Sequence, residues 1–464
     1  MGEPLIVRIE RKLQGHVLVD RSACSIFKVP KPLREKNKKA YEPQVISIGP
    51  YHHGKDHLKA MEVQKMNSLK FLLDRTKEIG LEMYVTALVE IEEETRKFYS
   101  ESLDHIGGKE LVEMMLFDGC FIIELIFHST MHTYLTDFYL REAMRDLLLV
   151  ENQLPFCVLS KLYSLSSCLP LNIAKDRMAH AAISFFDIMM PGPLITARPG
   201  NQEVKHILGL LHDLSYLSEE VKRVICTPPS SVTAVSFPCW PPCLAPASLL
   251  PRSPSSAKNL SAGVVIDPPA QAVPEKSSTQ KWQFIRSATE LNDAGIKFQA
   301  NEGIILFDIK FQNGVISIPT LKIDDDTECI LRNLVAYEQC YKGISSTCFT
   351  DYSTFMDRLI NTGNDVELLC RCGILDNWLG DHEVVATMFN RLGDSVLISD
   401  TGFFYAEIFN GVNEHCNRKW NLWKANLRHN YFNTPWASIS FIAAVILLLS
   451  TFVASLVFNS LLSS

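Results

Sequence analysis

One stretch constrains this chain more than any other. From Trp436 to Phe458 the sequence reads WASISFIAAVILLLSTFVASLVF, without a charged side chain. A helix of this length rises about 1.5 Å per residue and reaches roughly 35 Å, enough to cross a hydrocarbon layer of ~30 Å with some tilt. Thr434 is a natural N-cap, Pro435 fits the first helical position, and Trp436 suits the headgroup level. Phe441, Leu447, Phe452 and Phe458 continue the lipid-facing character to the far end. The expectation is one transmembrane helix over 435–458.

Its flanks give the orientation. Arg418, Lys419, Lys424 and Arg428 precede the span, whereas NSLLSS at 459–464 carries no charged side chain, and basic flanks stay in the cytoplasm. The opening residues, MGEPLIVRIERKLQGHVLVD, interrupt every apolar run with a charge, so no secretory signal is expected. The chain thus reads as a single-pass, tail-anchored protein of the plasma membrane or an endomembrane, with a cytoplasmic head and a short non-cytosolic tail. The bilayer is its first expected partner. Asn259, in the sequon NLS, would stay unglycosylated. Thirteen cysteines scattered through apolar runs fit reduced, buried thiols. A net charge of −7 gives no reason to expect nucleic acid.

The rest of the chain reads as mainly α: a helical head with a small β-hairpin. MYVTALVEIEEETRKFYSESL places Tyr84, Leu88, Ile91, Thr95 and Phe98 on one face of an amphipathic helix. ELVEMMLFDGCFIIELIFHS is apolar on nearly all sides, but Asp118, Glu113 and Glu124 argue for a central core helix over a second membrane span. EVKHILGLLHDLSYLSEEVKR makes a further helix. In GIILFDIKFQNGVISIPTLKI, Asn313-Gly314 predicts a type I′ turn that pairs Phe311 with Ile316 and Ile309 with Ile318. SATE at Ser287–Glu290 reads as a capping box, and Asp325 with Glu328 as another helix cap rather than a calcium loop. Tyr405, Ile408, Val412, Cys416, Trp420, Trp423 and Leu427 form a stripe leading toward the membrane span. Between Thr227 and Pro274, Pro, Ser and Ala dominate, and a disordered insert is expected over 227–280. Within it CWPPC spaces Cys239 and Cys243 closely, but no second pair accompanies them.

IFKVPKPLREKNKKAYEPQVISIGPYHHG, MMLFDGCFIIEL, LLLVENQLPF, SATELNDAGIKF, DDDTECILRNLVAYEQC and YFNTPWASISFIAAVILLLSTF occur in this order. Together they resemble the signature blocks of the plant family called domain of unknown function 247. The resemblance implies a mainly helical plant protein with a C-terminal anchor and no established biochemical activity, some relatives being implicated in self-incompatibility in grass pollen. It implies one domain over 26–430, interrupted by the insert, after a lead over 1–25.

Candidate chemistry centres on GPYHHGKDHLKAMEVQK. His53 and His57 have the i, i+4 spacing of metal ligands on a helix, but Gly54 and the preceding GPYHHG argue that the helix starts after them, and zinc needs three or four ligands. The structural reading, a Pro/Gly turn anchored by Tyr51, is preferred. His52 and His53, with Asp118 or Glu124 as buried carboxylates, are the best candidates for acid–base catalysis. No P-loop, dinucleotide fingerprint, G-x-S-x-G, H-E-x-x-H or kinase block occurs. ENQLPF at 151–156 reads as structural: Pro155 breaks the helix and the polar side chains satisfy the broken ends. The basic run Lys28, Lys31, Arg34, Lys36, Lys38 and Lys39 reads as a solvated face. The leading expectation is a membrane-anchored scaffold or recognition protein whose head binds another protein, without a cofactor. The alternative is a membrane-tethered hydrolase or metal-dependent enzyme using His52 or His53 and a buried acid.

Overall fold

The computed structural model describes residues 24–127, 135–192, 204–215, 282–301, 305–341, 346–394, 402–417 and 439–451, with a few single positions between them. The described segments on both sides of the Pro/Ser-rich stretch belong to one compact unit. The insert itself lies outside the described residues, Cys239 and Cys243 included.

Fifteen helices and five strands are used below. The helices are α1 (Lys31–Lys36), α2 (Glu62–Arg75), α3 (Leu81–Val89), α4 (Glu92–Arg96), α5 (Gly108–Phe127), α6 (Asp137–Asp146), α7 (Phe156–Ser167), α8 (Leu171–Phe186), α9 (Ile207–Ser215), α10 (Ala288–Asp293), α11 (Thr327–Cys340), α12 (Cys348–Leu359), α13 (Gly363–Arg371), α14 (His382–Leu392) and α15 (Ala406–Asn417). The strands are β1 (Lys297–Asn301), β2 (Lys310–Gln312), β3 (Val315–Pro319), β4 (Leu321–Ile323) and β5 (Leu375–Asn377).

α5 is the axis of the first half, as its all-round apolar sequence requires. From Leu111 to Leu125 nearly every side chain is buried, Asp118 and Glu124 among them. α2, α3 and α7 pack around it, and α8 folds back on α7. Gly119 permits the α5–α7 approach, because a Cβ there would meet Leu162 Cδ1 at 2.4 Å. In the second half α11 packs on α12 and α9, while α13 packs on α14 and α14 on α12.

The two positive φ angles of Asn313 (51°) and Gly314 (79°) make the I′-type turn read from the sequence. Phe311 pairs with Ile316 as expected. Ile309, though buried, lies before β2 and has no partner in the ladder. The hairpin is also one edge of a larger sheet, of order β1-β3-β2, in which β1 runs parallel to β3. β4 and β5 form a second, parallel pair.

Three local expectations are corrected. The amphipathic helix over 83–103 is broken into α3 and α4, and the second helix starts at Glu92-Glu93-Glu94, where three carboxylates face the positive end of the helix dipole. Ser287 does begin α10, but its hydroxyl turns to Thr289 Oγ1 and makes no cap; the Thr289 amide is bound by Asp365 Oδ1 at 2.8 Å from another part of the chain. At α11 the turn is organised by Asp324 rather than Asp325: Asp324 Oδ1 accepts from the Asp326 amide (3.2 Å) and from Thr327 Oγ1 (3.0 Å).

The stripe at the end of the head buries Tyr405, Val412 and Cys416, with Phe409 taking the place expected of Ile408. Trp420, Trp423 and Leu427 lie outside the described residues. Among the described residues no single helix is long and apolar enough to cross a membrane. Within the expected span, Ile439–Thr451 is an apolar helix with exposed side chains, Phe441 and Leu447 among them; Trp436, Phe452 and Phe458 lie outside the described residues. α7 matches a span by length and composition only when taken together with Leu171–Met189, from which it is bent by 108°. The inner face of α7 is part of the core: Phe156, Val158, Leu159 and Leu162 are fully buried.

Candidate functional site

Among the described residues, three polar centres in the helical core gather the most side chains. The first surrounds the loop from Gln44 to Lys55. Asp146, at the end of α6, is fully buried and accepts the amides of Gln44, Val45 and Ile46 at 2.8–3.0 Å, with Arg145 Nη1 donating at 2.9 Å. Burial pushes its carboxyl up to about 6, against the pull of those donors. Asn152 clamps the same loop from the other side: its Nδ2 donates to Ile46 O and Asp146 O, and its Oδ1 accepts from the Ile48 amide at 2.7 Å. Gln153 ties Leu147 O and Leu149 O to the Leu208 amide. The polar side chains of ENQLPF therefore do satisfy broken backbone ends, and these ends come from distant segments as well as neighbouring ones.

Glu151 completes this centre. One carboxylate oxygen accepts from the Val29 amide at 2.5 Å and from Arg34, and the other lies 3.3 Å from His52 Nε2, off the line of a hydrogen bond. Burial works to raise Glu151, but His52, Arg34 and the Val29 amide overcome it and hold the carboxyl below its ordinary value. His52 is pushed down by burial, with Glu151 opposing. A neutral imidazole with its Nε2 proton toward Glu151 presents its lone pair at Nδ1, where Lys55 Nζ sits at 2.9 Å. The nitrogen that a general base would use is already taken by an ammonium.

The second centre lies between α2 and α5. Lys65, only 1% exposed, reaches Asp118 Oδ1 and Glu62 Oε1, both at 2.7 Å, and Asp118 Oδ2 accepts from the Gly49 amide at 2.7 Å. Burial favours the neutral lysine, but the two carboxylates prevail and raise Lys65; burial raises Asp118. Glu62 and Asp118 of this group line a cleft of about 300 Å³ together with Glu110, Glu113, His53 and the apolar Met66, Met114 and Phe117. Four carboxylates line it, so the cleft is acidic. A second cleft, of about 360 Å³, is lined by Asp324, Asp325, Glu328 and Glu383, by Leu379 and Met388, and by Arg391.

The third centre joins α9, α11 and α12. His212 Nε2 lies 2.9 Å from Glu338 Oε1, and His212 Nδ1 lies 3.1 Å from Asp213 Oδ1. Glu338 also accepts the amides of Phe349 (2.9 Å) and Thr350 (2.7 Å), closing the open end of α12, and Cys348 Sγ lies 3.6 Å from the same Oε1. Burial opposes protonation of His212, but Asp213, Cys348 and Glu338 together raise it well above its ordinary value. Burial pushes Cys348 up to about 11. Six residues earlier, His206 donates from Nε2 to Ser25 O (3.1 Å) and accepts the Gly209 amide at Nδ1 (3.1 Å), and burial drives it down to about 3. Tyr337 lies edge-on to both imidazoles.

The residues singled out from the sequence are thus dispersed. His53 and Asp118 line one cleft; His52 belongs to the Glu151 centre. Glu124 is wholly buried in a two-pronged pair with Arg75. His57 is exposed, with Nε2 at 3.2 Å from Pro43 O. Of the basic run, Lys28 pairs with Glu101, Arg34 with Glu151, Lys36 with Asp394 and Lys38 with Glu42. His212, Glu338 and Cys348 were not anticipated, although a glutamate at the helical spacing of Leu331, Leu334 and Val335 marks a charge on a buried face.

A family model described as plant protein of unknown function, domain of unknown function 247, matches residues 26–450. The chain belongs to that plant family. UPF0481 protein At3g47200 of Arabidopsis thaliana is 30% identical over 94% of this chain and 86% of its own length. A putative UPF0481 protein of the same plant, At3g02645, is 26% identical over 98% of this chain and 94% of its own. No solved structure matches the chain. Domain 247 membership brings no assigned activity, so function has to be argued from these centres.

Proposed function

We propose that this domain 247 protein is a membrane-anchored recognition or scaffold component whose helical head, facing the cytoplasm, binds a protein partner carrying basic side chains. One contrast carries the reading. The groups suited to catalysis are committed to the fold, His52 between Lys55 and Glu151 and Glu124 to Arg75, whereas the open clefts are lined by acidic and apolar side chains. The cleft between α2 and α5 suits the aliphatic stem and cationic head of a lysine or arginine. Anchoring is supported by the charge-free stretch 436–458, whose described part is a helix with exposed apolar side chains. Signalling, including recognition of the self-incompatibility kind, is the setting in which such a tethered head would act.

The hydrolase alternative is weaker on physical grounds, because His52 lacks a free lone pair and His53 and His57 occupy different surroundings. Proximity labelling in plant cells, comparing the full chain with its membrane stretch alone, tests the recognition reading. A set of proteins enriched only by the full chain is expected; identical sets would refute it.

A further inference from the structure

We propose that His212 Nε2, a carboxylate oxygen of Glu338 and Cys348 Sγ form a buried zinc site, with Asp213 orienting His212 from its other nitrogen. Among the described residues these three donors are the group of metal-ligating type that converges, their atoms all lying within 4.8 Å of one another. Ligands of a tetrahedral zinc, at about 2.0–2.3 Å from the ion, stand roughly 3.3–3.8 Å apart. The 3.6 Å between Cys348 Sγ and Glu338 Oε1 falls in that range, and the 2.9 Å between His212 Nε2 and Glu338 Oε1 needs to open by a few tenths of an ångström.

The helix-capping role of Glu338 accounts for the Phe349 and Thr350 amides. The imidazole and the thiol converge on one oxygen of the same carboxylate. Each carboxylate oxygen has two lone pairs, so one can serve an amide and the other a metal. His212 shows a further feature of metal-bound histidines, in which the distal N–H is held by a carboxylate: its Nδ1 lies 3.1 Å from Asp213 Oδ1. A borderline-soft set of imidazole, thiolate and carboxylate favours zinc over magnesium or calcium.

Charge is consistent with burial. All three side chains are at most 6% exposed, and a divalent ion with one carboxylate, one thiolate and a neutral imidazole is electrically neutral. On binding, the Cys348 thiol gives up its proton to solvent, as does His212 where it is an imidazolium. Cys348 is the first residue of α12, where the helix dipole favours the thiolate. The ion would tie α9, α11 and α12, joining segments on both sides of the insert.

The test uses the full chain purified in detergent and equilibrated with zinc, then separated from free metal. Elemental analysis is expected to give one zinc per chain at this site, and zinc X-ray absorption one sulfur with nitrogen and oxygen neighbours. Asp213→Asn alters a carboxylate that is 47% exposed, so the core stays intact; it is expected to weaken zinc binding about tenfold. Cys348→Ser is expected to lose the thiolate-to-metal absorption of the cobalt-loaded protein, while the Cys239→Ser/Cys243→Ser pair keeps it. The proposal is overturned by wild-type protein without zinc, by two or more sulfurs around the ion, by an unchanged affinity in Asp213→Asn, or by a cobalt–thiolate band that follows Cys239 and Cys243. If Cys348→Ser does not fold, the sulfur count and the Asp213→Asn affinity still decide.

Discussion

Replacing His206 with Gln should remove one acid-sensitive element of the fold without removing its packing. His206 is fully buried and neutral, donating to Ser25 O and accepting from the Gly209 amide, and burial lowers it to about 3. In the unfolded chain the same imidazole titrates near about 6.5. Between those values the unfolded chain binds the proton and the folded one does not, so the stabilisation is fully present above the unfolded value and is lost as pH falls. From ~pH 8 to ~pH 5 the loss is about 2 kcal/mol, the factor of roughly 30 in unfolded-state protonation converted at 1.36 kcal/mol per decade.

Glutamine keeps the donor toward Ser25 and loses the acceptor for Gly209, a cost of about 1 kcal/mol that does not vary with pH. Asp146, raised to about 6, and Asp351, raised by burial to about 7, act in the opposite sense, losing stability as pH rises through the acid range. A single acid titration therefore mixes signs. The informative quantity is the difference between wild type and His206→Gln, from urea denaturation of the full chain at both pH values. The variant is expected to be the weaker protein at ~pH 8 and to close or reverse the gap by ~pH 5. An equal gap at both values would refute the assignment of His206 as a buried neutral group.

Other expectations follow from the same contacts. Gly119→Ala places a methyl 2.4 Å from Leu162 Cδ1 in the α5–α7 contact and should cost about 1–3 kcal/mol, visible as a lower thermal midpoint. Gly49 has φ 69°, and a Cβ there lies 2.7 Å from Gln153 O; Gly49→Ala should cost about 2 kcal/mol or more, checked by denaturation. Glu151→Gln removes the charge that Arg34 and the Val29 amide meet in the interior and should cost about 3 kcal/mol. Carbonate washing of microsomes should leave the full chain in the membrane pellet and release a form carrying charged residues at Leu447 and Phe452.

The parts legible in the sequence are those set by local pattern. α5 follows from apolar residues on all sides, and the β2–β3 turn from Asn313-Gly314, because both depend on residues a few positions apart. The break between α3 and α4 was hidden, since the apolar stripe continues through Thr95 and Phe98 and only the three glutamates mark a restart. The parallel pairing of β1 with β3 is a long-range choice that no turn announces. The same limit applies to the polar centres. His52 and Asp118 were recognisable as residue types, but their partners Glu151 and Lys65 are brought to them by packing. His212 and Glu338 stand 126 positions apart and meet only because α9 packs on α11.

The central claim is that the head recognises a partner through the acidic cleft between α2 and α5. Its most direct test is proximity labelling in plant cells with the full chain and with a Glu110→Lys/Glu113→Lys variant, both exposed positions on the cleft wall. The account predicts that the variant folds, reaches the same membrane and loses the partners enriched over the membrane stretch alone. Retention of the same partners at the same yield would contradict it.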